Sequence, residues 1–258
     1  SALQVGMQLE EKLGVNPYKF GMIGSTDAHT SLATTREENF FGKTTPQEPS
    51  AERMTETFMD NKKSGVKIMD WEVGSSGYAA VWAENNTRTA IWDAMHRRET
   101  YATTGTRMTV RFFGGWDFSN DDANSRSPAE IGYAKGVPMG GDMRKAPEGK
   151  APSFLVAALK DSIGANLDRI QIVKGWMDAK GKLHEKVFDV AWGGDRQPDA
   201  NGKLPSVGST VDIENATWTN TIGDPELITV WKDLILARQK CTTRIDEVDA
   251  WQIILFCD

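Results

Sequence analysis

Apolar and polar positions alternate with two different periods along this chain, and the change of period divides it. Leu3, Met7, Leu9 and Leu13 mark one apolar side of an opening helix, which Gly14 and the Asn16-Pro17 break bring to an end. The short apolar run Phe20 to Ile23 predicts a buried strand, followed by the loop Gly24-Ser25-Thr26-Asp27-Ala28-His29-Thr30. Pro46 and Pro49 preclude regular structure in the polar stretch from Thr34 to Ser50. Ser50 then caps a helix predicted over Ala51 to Lys62, with Met54, Phe58 and Met59 inward. Tyr78 to Ala83 reads as another strand. Glu84 to Thr87 offer cap chemistry for a helix running to Arg98, with Ala90, Ile91, Ala94 and Met95 on its apolar stripe. With Tyr101 to Thr103 as the next strand, this is the rhythm of a parallel sheet or barrel, so residues 1–105 read as α/β.

From Arg107 the period shortens. Met108 to Phe113, Phe154 to Leu159, Arg169 to Trp176, Lys186 to Trp192 and Thr210 to Trp218 are short runs rich in β-branched and aromatic residues. Gly-, Pro- and Asp-rich turns separate them, the pattern of a β-sandwich over residues 106–233. Asp117 to Gly149 has few periodic apolar residues and reads as a long loop. The predicted class is therefore α/β followed by all-β.

Composition narrows the partners. The 258 residues are 39% hydrophobic with nine tryptophans, enough for a real core, and the net charge is −6. An acidic chain without a dense Lys/Arg run is no nucleic-acid surface. No segment approaches the length of a membrane span, and no targeting segment is present, so the compartment stays open, export included. The two cysteines, Cys241 and Cys257, both sit near the C-terminus and define no disulfide framework.

The one concentration of candidate chemistry is Asp27-Ala28-His29. In extended backbone, side chains at i and i+2 share a face, so a carboxylate and an imidazole there could grip one divalent ion. A surface turn is the plainer alternative, because a metal centre ordinarily needs three or more ligands. Of three histidines, His96 lies in the second predicted helix and His184 in a charged alternating stretch. Both read as ordinary surface residues. Arg36, Glu37, Glu38 and Lys43, in the polar stretch after the motif, could reach a substrate, with solvated surface as the plainer alternative, and Arg36 and Lys43 are the substrate-binding candidates. Trp116, Trp176, Trp192 and Trp218 offer a carbohydrate-stacking platform if exposed, and core packing if not.

The strings FGMIGSTDAHTSLATTREENFFGK, AVWAENNTRTAIWDAMHRRETYATTGTRMTVRFFGGW, GVPMGGDM, DRIQIVKGW, GSTVDI and NTIGDPELITVWKD resemble the domain-of-unknown-function family 3604 (DUF3604) from residue 1 to Asp233. That family looks related to the polymerase-and-histidinol-phosphatase (PHP) superfamily of metal-dependent hydrolases. The resemblance implies the C-terminal part of a PHP-like α/β barrel, followed by a sandwich-like accessory domain. It implies zinc, manganese or iron bound partly by Asp27 and His29, and a small-molecule substrate such as a phosphate ester. The superfamily's opening His-x-His is absent here, so the ligand set is incomplete and the chain alone is expected to be inactive. After VWKD the family continues with an aromatic strand and a Pro-Thr-Pro-Arg-Trp signature. Here residues 234–258, LILARQKCTTRIDEVDAWQIILFCD, form a tail set apart from the family pattern that looks like a shifted reading frame. The rival expectation is a non-catalytic ligand- or carbohydrate-binding sandwich on a degenerate barrel.

Overall fold

The computed structural model describes residues 2–30, 43–44, 51–73, 77–143, 146–212, 214–215, 217–234 and 250–257. The chain forms two compact units. The larger comprises Ser1–Phe20, Arg97–Glu99 and Met108–Asp258; the smaller comprises Gly21–His96 and Thr100–Arg107. The opening helix α1 (Ala2–Leu13) thus belongs with the β-rich part of the chain.

In the smaller unit the expected strand Phe20 to Ile23 does not form. The run is irregular and its apolar side chains are exposed, because no strand pairs with it among the described residues. The predicted helix Ala51 to Lys62 is also replaced. A single 3-10 turn, Ala51–Met54, leads into a hairpin of β1 (Thr57–Asn61) and β2 (Val66–Met69). Turn chemistry overrides the helical spacing here. The Asn61 side chain accepts the N–H groups of Lys63 and Ser64 at 3.1 and 3.3 Å, and Gly65 takes φ +73°. Met54, Phe58 and Met59 therefore face outward.

Farther along, β3 (Tyr78–Val81) leads to helix α2 (Arg88–His96), whose Ala90 N–H is capped by the Thr87 hydroxyl at 3.3 Å. Ala94 is fully buried, Ala90 and Ile91 half-buried, and Met95 exposed. After the helix, β4 (Thr100–Thr103) pairs with β3 antiparallel, not parallel as expected. The helix stops at His96, two residues short of Arg98, whose left-handed backbone (φ +63°) reverses the chain before β4. No closed barrel forms among the described residues.

The larger unit holds the core. β5 (Thr109–Gly115), β6 (Gly136–Pro138), β7 (Ser153–Leu159) and β12 (Glu226–Lys232) form one antiparallel sheet in the order β12-β7-β5-β6. A second sheet has the order β13-β8-β9, from β8 (Leu167–Met177), β9 (Leu183–Trp192) and β13 (Ala250–Cys257). Phe112, Phe154, Val156 and Ala158 of the first sheet share one buried cluster with Leu167, Ile170 and Ile172 of the second, as in a β-sandwich. Burying each large side chain there contributes roughly 1.5–3 kcal/mol. A short ribbon, β10 (Val211–Asp212) with β11 (Thr217–Trp218), lies in the last predicted strand region. Strand β13 comes from the stretch set apart as a tail and pairs with β8 from Ala250↔Gly175 to Cys257↔Leu167.

The first sheet is covered on both faces, which explains the unbroken burial of Phe154, Leu155 and Val156. Phe113, Phe118, Leu155 and Val230 form a second cluster beneath Ala129 and Ile131 of helix α3 (Pro128–Lys135). Asp117 to Gly149 is thus not one loop. It also contains a 3-10 turn (Asn120–Asn124) and β6. The apolar residues of α3, Ala129, Ile131, Tyr133 and Ala134, form no single helical stripe, and part of its contact with the sheet is made by Gly132, where a Cβ would meet the Phe113 ring at 2.3 Å.

Polar anchors complete this unit. Burial alone would raise the Asp122 carboxyl, but hydrogen bonds from Lys135 (2.6 and 2.8 Å) and Ser119 carry it below its ordinary value. Glu99, also buried, accepts from Arg97 Nε at 2.8 Å and from the Tyr133 hydroxyl, so the Arg97–Glu99 segment is fixed to the core. Burial and then the bond to Glu99 push the Tyr133 phenol up.

Candidate functional site

The loop carrying Asp27 and His29 is positioned by close backbone approach. A Cβ on Gly24 would lie 2.7 Å from the Tyr78 carbonyl oxygen of β3, so only glycine lets the loop pass there. Thr100 of β4 donates its hydroxyl to the Met22 carbonyl at 3.2 Å. Beyond Gly24, the Ser25 hydroxyl accepts the Asp27 N–H at 3.1 Å, and Asp27 takes a left-handed backbone with φ +52°. Extended backbone is therefore not what brings the two side chains together. A turn at Asp27 does, setting His29 Nε2 3.1 Å from Asp27 Oδ1.

Lys43, within the polar stretch, closes the group. Its carbonyl accepts the His29 N–H at 2.7 Å, and its ammonium bonds Asp27 Oδ2. Asp27 is held below the usual carboxylate range, first by the hydrogen bond from Lys43 and then by that from His29. All three side chains reach solvent, with Asp27 53% and His29 59% exposed against 20% for Lys43. Arg36, the other candidate for an anionic substrate, lies outside the described residues.

Lys43, a candidate for reaching a substrate, also pairs with Asp27. No local pattern signals that pairing, because sixteen residues separate the two. Among the described residues no group of three or more His, Cys, Asp or Glu is placed to hold a metal ion. Asp27 and His29 make two donors, one of the carboxylate oxygens is engaged by an ammonium, and the set does not fit a complete divalent centre.

The other histidines sit elsewhere. His96 stacks on the exposed Trp92 with ring centroids 4.8 Å apart. His184 stacks on Trp176 at 5.2 Å and bonds Asp178 Oδ2 at 2.8 Å. The cross-strand register Trp176↔His184 creates that second cluster, which alternation within one strand does not reveal. Of the four tryptophans considered as a platform, Trp116, Trp176 and Trp192 are half-buried, and Trp192 Nε1 donates to the Arg196 carbonyl at 2.9 Å. Only Trp218, at 61%, is well exposed.

Comparison with known proteins adds a single relation. A family model described as "Protein of unknown function (DUF3604)" matches residues 1–239. No curated protein and no solved structure matches the chain. No helix among the described residues is long and apolar enough to cross a membrane.

Proposed function

Since the chain belongs to the DUF3604 family of proteins of unknown function, we propose that it is part of a metal-dependent hydrolase of the PHP type acting on a small phosphate ester. The observation that supports this reading is the convergence of the Asp27 carboxylate and the His29 imidazole at 3.1 Å on a solvent-exposed loop. In this proposal the two are ligands of a zinc, manganese or iron ion, and further ligands come from outside the described residues. Lys43, whose ammonium contacts Asp27, places a positive charge where an anionic ester would meet it. By itself the chain should show little or no phosphoesterase activity.

Titration with zinc and manganese, read by calorimetry, tests the assignment. Weak binding to the native chain that disappears in both Asp27→Ala and His29→Ala is expected. Binding that survives both substitutions overturns the ligand assignment, and a tight stoichiometric complex overturns the incomplete site.

A second reading, a ligand- or carbohydrate-binding sandwich without catalysis, draws on the exposure of Trp218. Glycan-induced quenching of tryptophan fluorescence that is lost in Trp218→Ala would support it. A flat response across a glycan panel removes it.

A further inference from the structure

Burial along β8 alternates, and Ile170, Ile172 and Lys174 occupy the same inward register. Lys174 therefore sends its chain into the region where the two sheets pack. There its Nζ lies 2.6 Å from Oδ2 of Asp233, the residue just after β12 in the opposite sheet. Neither side chain has any solvent exposure. The Trp176 ring lies 5.1 Å from the same nitrogen, and the Asp233 N–H is tied to the Pro152 carbonyl at 2.9 Å.

We propose that Lys174 and Asp233 become joined by an intramolecular isopeptide bond linking β8 to the end of β12. An amine and a carboxyl group held in contact away from water react with an effective concentration that free groups never reach. Withdrawal from water also makes two charges costly to keep, a cost that a neutral amide removes. The ammonium passes one proton to the carboxylate, and the freed amine attacks Cγ. The C–O bond then breaks, the hydroxyl leaves with a second amine proton as water, and a neutral amide remains. No oxidant, reductant or outside reactant is needed. The product removes two buried charges, and the dry surroundings protect it from hydrolysis.

The chain contains its own controls. Lys150–Asp117 and Lys43–Asp27 are contacts of the same chemistry, but side-chain exposure of 43% and 65% in the first and 20% and 53% in the second leaves them open to water. They should stay ionic.

Intact mass measured under denaturing conditions, followed by peptide mapping, decides the matter. The native chain is expected one water lighter than its sequence, with the Lys174 and Asp233 peptides recovered as one linked species, and Lys174→Arg at full sequence mass. A native chain at full sequence mass overturns the proposal, as does a water loss that maps to any other pair or persists in Lys174→Arg. Should the variant fail to fold, the linked peptide from the native chain, found or missing, gives the answer alone.

Discussion

The two units of this protein divide stability from candidate chemistry. In the larger one, Phe113, Phe118, Phe154, Leu155, Val156, Leu167, Ile170 and Ile172 are all essentially inaccessible to water. In the smaller one, Met22, Ile23, Met54, Met59, Val66, Trp71, Trp92 and Met95 are exposed, and Ala94 is the buried apolar side chain among its described residues. The Asp27–His29–Lys43 group lies in the unit whose described residues form little core, held by hydrogen bonds of a loop rather than by packing. Few buried apolar contacts mean low local stability, and sites that must admit a ligand are commonly drawn from such regions.

The sharpest way to break this contrast is to truncate one aromatic residue in each unit. Phe154→Ala should cost about 3–5 kcal/mol of unfolding free energy, whereas Phe58→Ala on the exposed hairpin should stay within about 0.5 kcal/mol. Equal losses in urea denaturation would mean that the smaller unit has a core of comparable weight. A smaller effect follows from overpacking. Gly132→Ala pushes a methyl group into the Phe113 ring and should cost about 1–3 kcal/mol, read in the same titration.

Within the smaller unit the largest single local effect expected is loss of the α2 cap. Thr87→Ala should lower stability by about 1 kcal/mol, and amide exchange should speed up in the first turn of α2 while the sandwich strands keep their protection.

The smallest effect is electrostatic. Asp178 is held down from 3.8 to about 2, first by the hydrogen bond from His184 and then by the Lys182 and Lys180 N–H groups. With its folded value depressed, the unfolded chain takes up the proton more readily. Its contribution is thus whole above 3.8 and lost as the pH falls through about 2. Asp178→Asn should flatten the acid limb of the stability curve over that window, measured by denaturant titration at a series of pH values.

How far these two regions could be read from residues alone follows the same division. Strands β5, β7, β8 and β9 of the larger unit are legible because their β-branched and aromatic runs are bounded by turn residues, whereas β6, β12 and β13 lie outside the runs that the pattern marks. The hairpin of the smaller unit was hidden because Met54, Phe58 and Met59 mimic a helical stripe, while Asn61 and Gly65 dictate a turn. Helix α3 was missed because a glycine makes part of its contact with the sheet. The nearness of Asp27 and His29 was legible from sequence distance, but its cause was not, since nothing local forecasts a left-handed backbone at Asp27. Lys174 was invisible for the opposite reason. A charged residue in an inward register breaks the very alternation by which a strand is recognised.

Strand β7 carries a consequence for the growing chain on the ribosome. It pairs with β5, made before it, and with β12, made only after β8 and β9. Until β12 emerges, the segment Ser153-Phe154-Leu155-Val156 presents one open edge and two greasy faces with no charge on them. Segments of that composition recruit like strands from neighbouring chains. Recombinant yield should therefore depend on synthesis speed and temperature more than on the stability of the finished fold.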